Sequence, residues 1–190
     1  MERQRDANLG EPPAALALSQ DGARLVVAGR ELLKQFDLRP PQPTSTTTPQ
    51  THTPTPKQTP YNIDNETNLL AHTRKNVSLS SADVAYVPEL PTQIVTGSLD
   101  GTLLLWDTHR RGSKLVRKYD AHSRAVNSLA FQPGERRLLS ASQDQTVKLW
   151  DIGARNAAQL RFVAAAEVRD VQFCRGSPSR FVAALESGSV

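Results

Sequence analysis

One cysteine, one methionine, two tryptophans and an aromatic share of 5% leave this 190-residue chain without several kinds of chemistry. A lone Cys174 rules out an internal disulfide, and no Cys-x-x-Cys pair or Cys/His cluster supplies four ligands for zinc, so a reducing compartment fits best. No apolar run approaches the roughly 18 residues of a membrane span. The first ten residues are charged and lack the apolar segment of a signal peptide. Asn65 and Asn76 begin Asn-x-Ser/Thr matches, which carry no meaning in a cytosolic chain. Charge of one sign is also scarce, the net value being only +4.

Proline, by contrast, is plentiful and unevenly spread. Seven of the thirteen prolines lie between Pro40 and Pro60, interleaved with threonine. Such a segment buries too little apolar surface to offset its ordering entropy, so residues 40–76 are expected to form a disordered insertion. Its Thr-Pro pairs are candidate phosphorylation sites, and a solvated spacer is the plainer reading.

The best-formed stretch runs from Asp120 to Asp151. Three short apolar runs, Ala125 to Phe131, Arg137 to Ser142 and Thr146 to Trp150, are separated by turns at Gln132-Pro133-Gly134 and Gln143-Asp144-Gln145. That is strand, turn, strand, turn, strand. The same register recurs upstream, with Trp106 lying 44 residues before Trp150, Asp100 lying 44 before Asp144 and Thr96 lying 44 before Ser140. A period of about 40 to 45 residues with this chemistry resembles the blades of a WD-repeat β-propeller.

The remaining chain divides around these two copies. Residues 1–13 form a polar tail, and 14–39 a degenerate blade in which Ser19 to Gly22 turns the hairpin and Phe36-Asp37 replaces Trp-Asp. Residues 77–119 form a blade ending in a basic loop, 120–160 a further blade, and 161–190 a partial one. The last lacks a third strand and its Trp-Asp, so the expectation is an all-β, incomplete propeller of about three and a half blades, truncated within a blade.

The repeat's polar residues invite a chemical reading. His122 is placed to donate to Asp144 and accept from Ser140, which in turn takes the indole N–H of Trp150. His-Ser-Asp has the composition of a catalytic triad, but the serine sits on a mid-blade strand and no Gly-x-Ser-x-Gly elbow accompanies it, so a structural clamp is expected. Thr96, Asp100 and Trp106 form the corresponding set upstream, where the histidine position falls near Ser78 and no histidine stands. Cys174, ending an inner strand, is read as a buried core thiol. No enzyme activity, cofactor, metal or small-molecule substrate is expected.

Several stretches together carry a narrower resemblance. Leu18-Ser-Gln-Asp-Gly22, Val26 to Lys34, Leu79 to Val84, Ala121 to Asn127 and Glu167 to Phe173 are similar to the N-terminal propeller of the restriction-of-telomere-capping family. That family is the WD-repeat subunit of the SEA or GATOR assembly. Val26-Val-Ala-Gly-Arg30 and Val168-Arg-Asp-Val-Gln-Phe173 are its more specific parts.

The resemblance implies a scaffold bound to other protein subunits, in an assembly at the vacuolar or lysosomal membrane that relays amino-acid availability to the TOR kinase pathway and so to autophagy. Membrane association would come only through partners. The family's C-terminal zinc-binding region has no counterpart here, so no metal-dependent activity is carried over.

Partner-facing positions are the loop residues beside the polar sets, Leu99, Arg124 and Gln143. Two alternatives stand beside the scaffold reading. A cullin-type ubiquitin-ligase receptor would use Trp-Asp-x-Arg, but Trp106-Asp107-Thr108 is followed by His109, with Arg110 one place late. Nucleic-acid binding would use the basic cluster of Arg110, Arg111, Lys114, Arg117 and Lys118, which reads more simply as a solvated loop with no stacking aromatics interleaved.

Overall fold

The computed structural model describes residues 12–29, 32–39, 66–68, 81–90, 92–108, 114–154, 158, 160–177 and 179–188. Their fourteen strands form four antiparallel sheets. The first contains β1 (Ala15–Leu18), β2 (Arg24–Ala28), β3 (Leu33–Asp37) and β4 (Glu66–Asn68). The second contains β5 (Ser81–Tyr86), β6 (Gln93–Ser98), β7 (Thr102–Asp107) and β8 (Lys114–Asp120). The third contains β9 (Val126–Phe131), β10 (Arg137–Ser142), β11 (Thr146–Asp151) and β12 (Leu160–Val163). The fourth is a pair, β13 (Val168–Phe173) and β14 (Phe181–Leu185).

Within each sheet the strands pair in chain order, and the first strands of successive sheets pack side by side, β1 on β5, β5 on β9 and β9 on β13. This is the arrangement of consecutive propeller blades, and the all-β, incomplete propeller expected from the sequence is the fold observed.

Burial on both faces explains the sequence Thr102-Leu-Leu-Leu-Trp-Asp107. Successive side chains of a strand point to opposite faces. Leu103 and Leu105 therefore enter the core shared with the third sheet, alongside Val126, Leu138 and Trp150. Leu104 and Trp106 enter the core shared with the first sheet, alongside Val26, Leu33 and Val84. A sheet with one face in water would alternate apolar and polar residues; here both sets are apolar because the second sheet is covered on both faces, by the first sheet and the third. The third and fourth sheets share a further core, with Leu139, Ala141 and Val147 packed on Val168 and Val171.

The outermost strands depart from the sequence reading, which recognised three strands per blade where the first three sheets have four. Lys114–Asp120, read as part of a basic loop, is the strand β8, paired along β7. Its Arg117 and Tyr119 turn inward while Val116, Lys118 and Asp120 face solvent, an alternation masked by the density of positive charge. Arg110 and Arg111 lie outside the described residues.

Glu66–Asn68, inside the 40–76 segment read as an insertion, pairs with β3; the rest of that segment lies outside the described residues. Leu160–Val163 straddles the 160/161 boundary and closes the third sheet. An outer strand is held mainly by ladder hydrogen bonds and needs little apolar periodicity, so composition identifies it poorly.

Candidate functional site

Two turns and a connecting segment hold the polar residues at one end of the strands. The β10–β11 turn carries Asp144, with Gln145 in the left-handed region at φ 64°. The β6–β7 turn carries Leu99 and Asp100, with Gly101 at φ 87°. Gly101 is required for space as well: a Cβ there would stand 2.3 Å from the carbonyl oxygen of His122. That close approach seats the segment from His122 to Arg124 against the neighbouring blade's turn.

In the third sheet the hydrogen bonds form a closed chain. The Trp150 indole N–H donates to Ser140 Oγ at 2.9 Å. Ser140 Oγ lies 2.7 Å from His122 Nε2, and His122 Nδ1 lies 3.0 Å from Asp144 Oδ2. Because Ser140 already accepts from the indole, its own proton goes to Nε2, leaving Nδ1–H to donate to the carboxylate. The Ser123 amide donates to the same Asp144 oxygen at 3.1 Å. Thr146 completes the set, its amide and hydroxyl donating to Asp144 Oδ1 at 3.0 and 2.5 Å.

Electrostatics match this assignment. The His122 side chain is fully buried, and burial lowers its pKa against the pull of Asp144, so the ring is held neutral. Burial by itself would raise the Asp144 carboxyl, but the Thr146 hydroxyl, His122 and the Ser123 amide outweigh it and bring it down to about 2. A hydrolytic serine must reach a substrate. Ser140 is fully buried, spends its proton on His122 and receives the indole, so this geometry is a clamp joining β10, β11, their turn and the preceding loop.

The second sheet carries the shorter set. Trp106 donates its indole N–H to Thr96 Oγ1 at 3.1 Å, and Asp100 Oδ1 accepts the Thr102 amide and hydroxyl at 2.9 and 2.7 Å. Burial raises the Asp100 carboxyl, but these bonds leave it below its ordinary value. Ser78, where a histidine equivalent would fall, lies outside the described residues. In the first sheet Phe36 takes the tryptophan position and Val27 the hydroxyl position; both are buried in one cluster, so donor and acceptor are replaced together by apolar groups.

Leu99, Arg124 and Gln143 share this end of the molecule. Leu99 is 49% exposed. Arg124 is engaged: its guanidinium pairs with Glu167 of the following sheet at 2.7 Å and reaches the Gln143 carbonyl at 3.4 Å. Arg169 bridges Glu186 at 2.5 Å beside it. Arg117, read as loop charge, donates to the Ala154 carbonyl at 2.7 Å and stacks over Tyr119. Cys174 is half-buried rather than buried, directly after β13 of a two-stranded sheet packed on one neighbour. No group of three His, Cys, Asp or Glu among the described residues is placed to hold a metal ion.

Sequence reasoning overlooked a second polar system on the inner strands. Asp83 Oδ2 accepts the Leu129 amide of the next sheet at 2.7 Å, and Ser128 Oγ donates to Asp170 Oδ1 of the sheet after it at 2.6 Å. Asp83, Ser128 and Asp170 stand three residues before Tyr86, Phe131 and Phe173, a register visible in the sequence. Each of these strands has a register shift at that point. Thr146, also overlooked as a site residue, sits in the Asp-x-Thr spacing shared with Asp100 and Thr102.

Fold and clamp geometry define a WD-repeat protein, and the WD domain, G-beta repeat is matched at residues 66–107 and 113–151. The chain is homologous over part of its relatives' length to GATOR2 complex protein WDR24: 32% identical to that of Dictyostelium discoideum over 76% of this chain and 13% of that protein. The Homo sapiens WDR24 is 26% identical over 99% of this chain and 22% of its own length. Restriction of telomere capping protein 1 of Candida dubliniensis is 38% identical over 46% of this chain and 8% of that protein. The chain thus spans less than a quarter of the length of each of these relatives.

Proposed function

We propose that this chain is a non-catalytic WD-repeat scaffold that binds protein subunits of a GATOR2-type complex, the assembly called SEA in the related family. The observation that carries the reading is the homology to GATOR2 complex protein WDR24 over nearly the whole of this chain. The closed polar networks support it, since their groups are spent on holding strands together and leave rigid turns as the surface for partners. In this reading the complex acts at the vacuolar or lysosomal membrane in TOR signalling and autophagy, and the chain reaches that membrane through its partners.

Leu99 and Gln143, with Arg124 between them, form the proposed partner face. Co-expression of the full-length protein with tagged subunits of the complex tests the reading. Stable co-purification is expected, reduced by Leu99→Asp combined with Gln143→Ala. Failure of the wild-type protein to co-purify with any subunit would overturn the scaffold assignment; wild-type levels with the double variant would overturn only the assigned face.

A further inference from the structure

At the opposite end of the strands from the clamps, the turns β1–β2, β5–β6 and β9–β10 surround a cavity of about 680 Å³. That volume lies within the range of ligand-binding clefts. Leu18, Tyr86, Pro88, Phe131 and Pro133 make its wall largely apolar. Leu18 is 58% exposed. Three separate sheets contribute, and the Asp83–Leu129 bond ties two of them, so the walls are set before anything binds and little ordering is required.

The charge of the lining is one-sided. Among the described residues its charged side chains are Asp21 and Glu89, with Arg24 outside the lining but near enough to act on Asp21 and Tyr86. The Ser19 hydroxyl and Ala23 amide hold the Asp21 carboxyl below its ordinary range, which keeps it anionic at neutral pH. Glu89 stands at the tip of its turn with φ 62° and is exposed. The Tyr86 hydroxyl is buried in the wall with no hydrogen-bond partner among the described residues, and burial raises its pKa so that it remains a donor.

We infer that this cavity docks a segment of a partner protein in which apolar or proline residues are flanked by lysine or arginine. The apolar wall receives the side chains and the two carboxylates select the cation. This rests on the scaffold reading above and names the chemistry of one partner contact.

Fluorescence anisotropy with the full-length protein tests it, using three labelled nonapeptides that share a leucine and proline frame and carry arginine, glutamine or glutamate at the remaining positions. The arginine peptide is expected to bind at least about tenfold more tightly than the glutamate peptide, and to weaken as salt rises. Leu18→Trp, which fills the mouth, and the pair Asp21→Asn with Glu89→Gln are each expected to lower its affinity about tenfold. Arg161→Ala, exposed on the outer strand β12, leaves it unchanged.

These substitutions fall on half-exposed or exposed positions, and unchanged circular dichroism and melting establish that the fold persists. Equal binding of the three peptides, no binding of any, or insensitivity to both cavity variants would overturn the inference. Self-association abolished by Leu18→Trp would assign the cavity to a second copy and likewise overturn it. If subunits co-purify normally while the arginine peptide fails, the cavity assignment falls and the scaffold reading stands.

Discussion

The Asp83 carboxylate, on the inner strand of the second sheet, accepts the backbone N–H of Leu129, on the inner strand of the third, at 2.7 Å. Its other oxygen takes the Val84 amide at 2.8 Å. One side chain thus joins two sheets whose remaining contacts are largely apolar, and gives a non-directional interface a fixed register. Ser128 and Asp170 repeat the join between the third and fourth sheets.

Replacing Asp83 by Ala leaves the Leu129 amide without its acceptor. The expected loss is about 1–3 kcal/mol of unfolding free energy in urea titrations of the full-length protein. Asp83→Asn, which keeps an acceptor oxygen, recovers most of it. Equal stability of wild type and Asp83→Ala would show that the bond contributes nothing.

Removing Ser140 strands two partners together, the Trp150 indole and His122 Nε2. Ser140→Ala and His122→Ala are each expected to cost about 2 kcal/mol, with the double variant falling short of additivity by 1 kcal/mol or more, on the order of the coupling found within one network. Additive losses in chemical denaturation would mean the two residues act separately.

Acid should dismantle the clamp in two ranges. The Asp144 carboxyl titrates at about 2 in the native state against 3.8 as its ordinary value, so it contributes on the order of 2 kcal/mol above pH 4 that is lost as pH falls toward 2. His122, lowered from 6.5, adds a loss that begins below that pH, because the unfolded chain takes the proton first. Burial raises Asp83, so the native state binds that proton first and offsets part of the loss. Asp144→Asn is expected to be less stable at pH 7 and to show a flatter dependence between pH 4 and 2. An unchanged slope would remove Asp144 from the account.

Gly97 is set by packing. A Cβ there would meet Val126 Cγ1 at 2.7 Å inside the core between the second and third sheets. Gly97→Ala is expected to cost about 1–3 kcal/mol. Adding Val126→Ala should recover part of that loss, since the clashing methyl is gone; a further full loss in thermal unfolding would contradict the geometric account.

The 44-residue register and the Trp-Asp pairs determined the fold class, because a repeat that pairs its own three strands writes its hydrogen-bond partners at constant spacing. The clamp residues His122, Ser140, Asp144 and Trp150 were legible for the same reason: all lie within one blade. Tertiary structure alone decided the rest. It turned Lys114–Asp120 from a loop into a strand, drew Glu66–Asn68 across a long segment to pair with β3, joined Asp83 to Leu129 and engaged Arg124 with Glu167. Outer strands are held by backbone bonds that any composition supplies, and contacts between blades depend on which residues meet when two sheets stack. Neither leaves a local period in the sequence, so both emerge only when the blades are set side by side.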